Sequence, residues 1–327
     1  MRMSDRKMRA LITSEVTDEF LELLDVRNIQ YELAGWGQSG TVLTENQIIE
    51  SAQQCEIVIV ELENINRKVI EALPGLQFVG VSRGTPVNVD LEYCDEKGIS
   101  VVHTPGRNAD SVADFCLAMM LNLTRKLIVS SKHLSTVGWT YDGKLPYLEF
   151  RGKEIRNLKI GLYGLGQIGE RVAERLHNGF GAKTYFYDPF VKASAHATKV
   201  EKIDELFEIS DIVSLHAPVV AETENSINRA LLRKLGPEGI LISSARAKLV
   251  IEEDLYSALT NGEIASAAID VFWSEPIDAD NKWVKLSNVI CTPHIAGASL
   301  DVVANHCGMI LEGLDKWLSS KTTRRLA

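Results

Sequence analysis

The segment from Lys159 to Leu176, KIGLYGLGQIGERVAERL, constrains the fold of this chain most strongly. A short apolar run is followed by three glycines, Gly164, Gly166 and Gly169, and then by an amphipathic stretch without a break. This order predicts a strand, a tight turn and a helix. Gly164 permits the turn, Gly166 permits close approach of the backbone to a pyrophosphate, and Gly169 permits packing of the helix on the strand. Because a helix N-terminus favours an anion, the segment predicts a dinucleotide-binding site.

A carboxylate follows this turn at the spacing that such a site requires. The sequence KTYFYDP predicts a second strand that ends at Asp188, about 20 residues further on, where an acidic residue contacts the adenosine ribose. Pro189 and Phe190 come next, whereas an arginine would suit the 2′-phosphate of NADP. NAD is therefore favoured, and Lys192 leaves NADP open. The alternative interpretation is a glycine turn with a solvated aspartate.

Length and charge narrow the class of protein. A chain of 327 residues predicts two domains, and a formal net charge of −9 argues against nucleic acid as the main partner. We find no apolar run of about 18 residues and no leader-like segment, which predicts a cytoplasmic protein with no membrane partner. The five cysteines lack the spacing of metal ligands, so we expect reduced thiols and no metal site.

Strands and helices alternate along the whole chain. Further strands are predicted at MRALIT, EIVIV, LQFVGVS and ISVVHTP before the glycine turn, and at DIVSLHA, GILISSA, SAAIDVF and NVICTPH after Asp188. This alternation predicts parallel sheets with helices on both faces. We expect a loose terminus before Lys7 and a final helix, SLDVVANHCGMILEGLDKWL, that is followed by a short basic tail.

A long helix is predicted from about Asp110 onward. Its segment CLAMMLNL is apolar on more than one side. Such a helix is either buried within one chain or forms half of a dimer interface. We favour the interface because a helix that is apolar all round needs more cover than one domain provides.

Four polar residues follow successive predicted strands at their carboxyl ends, where open parallel sheets bind ligands. His294 is the candidate base for a hydroxyl proton, and Glu275 would hold the tautomer of its ring. Arg246 would bind a substrate carboxylate and polarise a carbonyl. Asp270 would accept a hydrogen bond from the nicotinamide carboxamide or cap the following turn. The alternative is that these are ordinary solvated loop residues.

Several motifs together resemble the D-2-hydroxyacid dehydrogenases: GLGQIG with Asp188, LHAP at 215–218, Arg246 after a strand, IDVF followed by SEP, and TPHIAGAS at 292–299. The segments VSRGTPVNVD and GRNADSVADFCLAMMLNLTR are most similar to the phosphoglycerate-dehydrogenase-like branch. The resemblance covers nearly the whole chain. It implies hydride transfer between NAD(H) and a pair formed by a D-2-hydroxy acid and a 2-oxo acid. It also implies that Arg246, Glu275 and His294 are catalytic.

The same resemblance implies the architecture and the binding residues. It predicts an α/β protein of two doubly wound parallel-sheet domains: a flavodoxin-like substrate domain of residues 1–104 and 298–327, and an inserted Rossmann NAD-binding domain of residues 105–297. A helix and arm at about 110–150 would make a homodimer. Arg83, Gly84 and Thr85 would bind the substrate carboxylate. The implied cofactor residues are Gly164, Gly166, Gln167, Ile168, Gly169, Asp188, His216, Ala217, Pro218, Thr223, Ala245 and Asp270.

Two departures from the family pattern concern loops beside the predicted site. Ala247 stands where the family commonly has glycine after the arginine, and Thr85 with Pro86 replaces a more glycine-rich loop. The first puts the local loop shape in doubt, and the second suggests an unusual substrate pocket. Arg83 and Trp139, with Arg107 unless it is solvated, suggest room for a polar or acidic substrate tail.

Two other functions remain open on this fold. One is a dinucleotide-sensing protein similar to the corepressors of the family, against which the intact set of Arg246, Glu275 and His294 argues. The other is a formate dehydrogenase, in which the histidine is paired with glutamine. Glu275 argues against that function.

Overall fold

The structure, a computed structural model, describes residues 7–326, without the side chains of residues 322–326. The predicted loose terminus before Lys7 lies outside these residues. The strands are β1 (Met8–Ile12), β2 (Ile29–Leu33), β3 (Ile57–Val60), β4 (Phe78–Val81), β5 (Ser100–His103), β6 (Lys159–Tyr163), β7 (Lys183–Tyr187), β8 (Thr198–Lys199), β9 (Ile212–Leu215), β10 (Ile240–Ser243), β11 (Ser266–Ile269) and β12 (Val289–Cys291).

The α-helices are α1 (Asp18–Val26), α2 (Trp36–Ser39), α3 (Glu45–Ser51), α4 (Arg67–Ala72), α5 (Leu91–Glu96), α6 (Ala109–Arg125), α7 (Leu127–Thr136), α8 (Gln167–Arg175), α9 (Ile203–Ile209), α10 (Arg229–Leu235), α11 (Glu252–Thr260) and α12 (Leu300–Leu326). Short 3-10 turns lie at Ile155–Asn157, Ala247–Leu249 and Trp283–Lys285, and a π-helical turn at Leu176–Phe180 extends α8.

The chain forms two compact units, and the second interrupts the first. The first unit comprises residues up to Asn108 and from Ser299 onward, and the second comprises Ala109–Ala298. None of the helices in the described part of the chain combines the length and the apolar character needed to span a lipid bilayer.

The first unit is built on a five-stranded parallel sheet of order β2-β1-β3-β4-β5. This is the flavodoxin-like order. Helix α12 covers one face of the sheet, and the rings of Trp317 and Phe78 pack there with centroids 5.2 Å apart. Strand β2 was not predicted. It is an edge strand whose Gln30 and Glu32 break any apolar run, so that its sequence does not stand out.

The second unit contains a seven-stranded parallel sheet of order β8-β7-β6-β9-β10-β11-β12. The order reverses between β6 and β9, as in the dinucleotide-binding Rossmann fold, and such a reversal opens a crevice at the carboxyl ends of these two strands. The predicted class of two doubly wound parallel-sheet α/β domains is therefore confirmed. The short edge strand β8 was missed.

The predicted long helix is two helices. Helix α6 ends at Arg125, because Lys126 adopts a left-handed backbone with φ of +55°. One face of α6 is buried in the core of the second unit, with Cys116 and Met120 fully enclosed. Helix α7, in contrast, buries none of its residues in the chain. At the other end of the chain, α12 continues as helical backbone to Leu326, so the predicted basic tail is part of the helix.

Candidate active site

The glycine turn between β6 and α8 has a separate geometric reason for each glycine. Gly164 has φ of +92°, and a Cβ there would lie 2.6 Å from the backbone nitrogen of Ala217. A Cβ on Gly169 would lie 2.4 Å from the carbonyl oxygen of Gly164. A Cβ on Gly166 would meet no atom within 4 Å. Packing therefore requires the outer two glycines, whereas Gly166 faces open space at the start of α8, where a pyrophosphate would fit.

Asp188 directly follows β7, beside this turn, and organises the backbone of the turn. Its Oδ2 accepts the backbone N–H of Leu165 at 2.8 Å, and its Oδ1 accepts those of Phe190 at 2.8 Å and Val191 at 3.0 Å. Burial acts to raise the pKa of Asp188, but these donors and the nearby Lys199 ammonium together lower it below the ordinary value. The carboxylate is ionised at neutral pH.

The segment after β9 closes the other side of the crevice. The backbone N–H of His216 donates to the carbonyl of Tyr163 at 2.7 Å, which joins the ends of β9 and β6. Both ring nitrogens of His216 are buried and lack a hydrogen-bond partner among the described residues, and burial lowers the pKa of this ring to about 4. The ring is therefore neutral. The Thr223 hydroxyl donates to the carbonyl of Pro218 at 2.6 Å and closes this loop.

His294 and Glu275 form the pair that the sequence suggested. Nδ1 of His294 lies 2.8 Å from Oε2 of Glu275, which fixes the proton on Nδ1 and leaves Nε2 as the other functional nitrogen. The backbone N–H of Phe272 donates to Oε1 of Glu275 at 2.8 Å. Burial acts to raise the pKa of Glu275, but His294, the Phe272 N–H and the charge of Arg246 together lower it.

Asp270 holds the turn that carries His294. Its Oδ1 accepts the Thr292 hydroxyl at 2.6 Å and the Ile295 N–H at 2.9 Å, and its Oδ2 accepts the Ala296 N–H at 2.8 Å. The side chain is buried, with the residue 1% exposed. Sequence reasoning missed this role, because nothing in the spacing shows that the loop after β12 folds over the end of β11.

Arg246 follows β10 and is exposed, with Nη1 donating to the carbonyl of Ala245 at 2.7 Å. The 3-10 turn that follows buries Ala247, whose φ is not among the positive values of this chain. A glycine is therefore not required at this position, which removes the doubt that the substitution raised about the shape of the loop.

The loop after β4, in the first unit, carries the predicted carboxylate-binding residues. Gly84 and Thr85 are exposed, and Nδ1–H of His103 donates to the carbonyl of Gly84 at 2.9 Å. The Arg83 side chain is half-buried, and within residues 7–321 it has neither an ion-pair nor a hydrogen-bond partner. The sequence analysis did not predict that His103 would hold this loop through the Gly84 carbonyl. Its position at the end of β5, where ligands bind in open parallel sheets, could have indicated such a role.

The side chain of Arg107 is bound by two residues of its own unit. Its guanidinium forms an ion pair with Glu61 at 2.7 Å and donates to Nδ1 of His306 at 3.1 Å. The suggestion that Arg107 is solvated is wrong, and its ion pair also leaves it less suited to a substrate tail. Trp139, by contrast, is 69% exposed.

Comparison with known proteins identifies the family of this chain. Residues 117–296 match the model of the D-isomer specific 2-hydroxyacid dehydrogenase NAD binding domain, over more than half of the chain. The chain belongs to the D-2-hydroxyacid dehydrogenase family. Among its relatives, YoaD of Bacillus subtilis is 32% identical over 318 residues, which cover 96% of this chain and 92% of YoaD.

Two further family members carry named activities. The glyoxylate reductase of Korarchaeum cryptofilum is 30% identical over 94% of this chain and 92% of its own. The NADPH-dependent glyoxylate/hydroxypyruvate reductase of Sinorhizobium meliloti, solved in complex with NADP and malonate, is 26% identical with a TM-score of 0.75, over 96% of this chain and 94% of that chain. The family comparison supports a nicotinamide dinucleotide as the cofactor class.

Proposed function

We propose that this protein is an NAD-dependent D-2-hydroxyacid dehydrogenase of the phosphoglycerate-dehydrogenase-like type. The observation that carries the proposal is the bond of 2.8 Å between Nδ1 of His294 and Oε2 of Glu275, in the loops that follow the neighbouring strands β12 and β11. A histidine whose tautomer is fixed by a carboxylate suits proton transfer near neutral pH. Arg246, at the end of the next strand in the sheet, supplies the cation that a 2-hydroxy acid requires.

Each of the three residues has a defined task. The nicotinamide dinucleotide, when bound, accepts or supplies the hydride. Nε2 of His294 takes the proton of the substrate hydroxyl in oxidation and returns it in reduction. Glu275 keeps the ring in the correct tautomer and stabilises its protonated form. Arg246 binds the substrate carboxylate through its planar guanidinium and polarises the carbonyl that is reduced.

NAD is the proposed cofactor, in preference to NADP. The support is the ionised carboxylate of Asp188 at the end of β7, which would accept from the two ribose hydroxyls and repel a 2′-phosphate. Pro189 and Phe190 follow it, and neither offers a positive charge. The proposed cofactor residues are those predicted from sequence, with Gly166 and the N-terminus of α8 at the pyrophosphate.

The two units have different proposed roles. The second unit would bind the dinucleotide. In the first unit, the backbone N–H groups of the loop from Arg83 to Thr85 and the guanidinium of Arg83 would also bind the substrate. Because this guanidinium is half-buried without a partner in its own unit, it is suited to a carboxylate or phosphate of the substrate.

A homodimer is proposed from the segment that follows α6. Helix α7 buries none of its residues within the chain, and Leu127, Ile128 and Val129 are each about half exposed. Trp139 and Tyr147 in the arm are 69% and 76% exposed. Exposed apolar side chains in one contiguous segment are typical of a surface that another chain covers. Sedimentation at several protein concentrations would test the dimer.

The function is tested by the oxidation of NADH, and in parallel of NADPH, with a panel of 2-oxo acids. The panel runs from glyoxylate, pyruvate, hydroxypyruvate and 2-oxoglutarate to phosphorylated and sugar-derived acids. We expect turnover with at least one acid and with NADH in preference to NADPH. Tight NADH binding without turnover on any acid would contradict the proposal and favour a dinucleotide-sensing protein.

A further inference from the structure

The side chain of Trp273 joins two of the loops that carry the proposed catalytic residues. Its indole Nε1–H donates to the carbonyl of Val250 at 2.8 Å. Val250 closes the 3-10 turn that starts directly after Arg246, since its own N–H donates to the carbonyl of Ala247 at 2.9 Å. The indole of Trp273 is therefore tied to the end of the turn that displays Arg246.

A second tryptophan packs on the face of the same indole. The rings of Trp273 and Trp283 are stacked, with centroids 5.3 Å apart and an angle of 16° between their planes. Trp283 is 1% exposed, and its own Nε1–H donates to Oε1 of Glu252 at 3.2 Å. Because Trp283 is fixed in the core of the second unit, the plane of the Trp273 ring is fixed as well.

The backbone that precedes Trp273 donates a hydrogen bond to Glu275. The N–H of Phe272, the preceding residue, donates to Oε1 of Glu275, and Oε2 of the same carboxylate accepts from His294. Any rotation of the backbone at Trp273 would therefore move a donor of the Glu275 carboxylate. Trp273 itself contacts neither a proposed substrate atom nor the proposed catalytic side chains in these interactions.

We infer that Trp273 is a positioning residue, which fixes the loop of Glu275 against the turn of Arg246 so that both side chains keep one geometry. The inference rests on the proposed function for its kinetic consequences, but the structural tie lies wholly within residues 109–298. Tryptophan is suited to this position because it combines a large flat ring for the stack on Trp283 with a single N–H donor for Val250.

Two substitutions separate the stack from the hydrogen bond. Trp273→Phe keeps an aromatic ring against Trp283 and removes the donor to Val250, whereas Trp273→Ala removes both. Trp317→Phe in the first unit is the matched control, because Trp317 is also a tryptophan that packs against an aromatic ring, that of Phe78, and it is 8% exposed. All three variants are compared with the wild-type protein in melting temperature, in NADH dissociation constant and in kcat and KM for the best acid of the panel.

We expect kcat to fall roughly 100-fold in Trp273→Ala, as for a displacement of about 1 Å in a catalytic group, and by about tenfold in Trp273→Phe. NADH affinity should stay within about twofold of the wild type. The acidic limb of the kcat profile should move to higher pH, because a looser Phe272 N–H and a displaced Arg246 lower the pKa of Glu275 less. A fall in melting temperature alone, as expected for Trp317→Phe, would show a merely structural role and overturn the inference.

A readout without turnover keeps the inference separate from the proposed function. Crystal structures of the wild-type protein and of Trp273→Ala at the same pH would show whether Glu275 still bonds to His294. Loss of this bond in the variant, with the wild-type bond present, supports the positioning role even if no acid of the panel is reduced. An unchanged Glu275–His294 bond and an unmoved Arg246 turn in Trp273→Ala would refute it, whatever the activity.

Discussion

Nδ1 of His294 donates to Glu275 over 2.8 Å although the backbone of His294 lies in the left-handed region, with φ of +56°. A residue other than glycine in this conformation costs about 1–3 kcal/mol. The hydrogen bonds that Asp270 accepts from Thr292, Ile295 and Ala296 hold the same turn and offset that cost. Two carboxylates thus act on one histidine, since Glu275 aims its ring and Asp270 holds its backbone.

Glu275→Gln should lower kcat by about 100-fold at neutral pH, because His294 and the Phe272 N–H donate to different oxygens of Glu275, and glutamine replaces one of these oxygens by an NH2 group that only donates. In the wild type, the lowered pKa of Glu275 keeps its carboxylate ionised at neutral pH. The ion pair with His294 is therefore fully present above the ordinary glutamate pKa, and it is lost only as the pH falls through the lower pKa of the folded state. The kcat profiles of the two proteins from about pH 3.5 to 9 would check both the difference at neutral pH and the loss at acidic pH. Glu238→Gln, at a side chain 81% exposed, is the control. A Glu275→Gln enzyme within twofold of the wild type at neutral pH would contradict the assignment.

Gly164→Ala and Gly166→Ala should separate folding from cofactor binding. Alanine at Gly164 meets the backbone nitrogen of Ala217 at 2.6 Å with a positive φ, so the melting temperature should fall by several degrees, on the order of 2–4 °C per kcal/mol lost. The Cβ of alanine at position 166 has no other atom within 4 Å, so the melting temperature of Gly166→Ala should equal that of the wild type. NADH affinity should nevertheless fall at Gly166, because the new methyl group occupies the proposed path of the pyrophosphate. Unchanged NADH affinity in Gly166→Ala would remove this residue from the cofactor site.

Asp188→Asn should change the preference between NADH and NADPH. Loss of a charged acceptor costs about 1.5 kcal/mol, or roughly tenfold in the NADH dissociation constant, whereas NADPH should bind as well as before or better. Asp211→Asn is the control, since Asp211 also accepts a backbone N–H, that of Lys159 at 2.8 Å, the first residue of β6. The two dissociation constants, measured by titration of the reduced cofactors, decide the matter. An equal loss for NADH and NADPH would mean that Asp188 only shapes the turn.

His216 should make the protein acid-sensitive. Burial lowers the pKa of its ring to about 4 in the folded state, so the unfolded chain binds a proton first as the pH falls below about 6.5. The free energy of unfolding therefore has its full value above that pH and decreases as the pH falls towards 4. The stability of His216→Asn should decline less steeply as the pH falls. It should still decline to some extent, because burial also lowers the pKa of His306. Urea unfolding at pH 7, 6, 5 and 4 would measure the slopes, with the exposed His177→Asn as control, and identical slopes for wild type and His216→Asn would contradict the prediction.

The sequence predicted most strands because their apolar runs are buried on both faces of a parallel sheet. Strands β3, β4, β6, β9 and β10 are almost wholly buried, and each was recognised. The edge strands β2 and β8 were missed, since one of them alternates with polar residues and the other has two residues. The end of α6 at Arg125 was missed as well, because Lys126 is not a residue type that marks a left-handed stop.

By itself, the sequence determined the fold class, the family and the residue types of the site, because a glycine turn and polar strand ends are local patterns with fixed spacing. Only the tertiary structure decided how these residues are held. The bonds from Asp270 to the His294 turn and from Trp273 to Val250 join segments 20 or more residues apart. No local pattern encodes such bonds, since they depend on which strands become neighbours and on the direction in which each loop leaves the sheet.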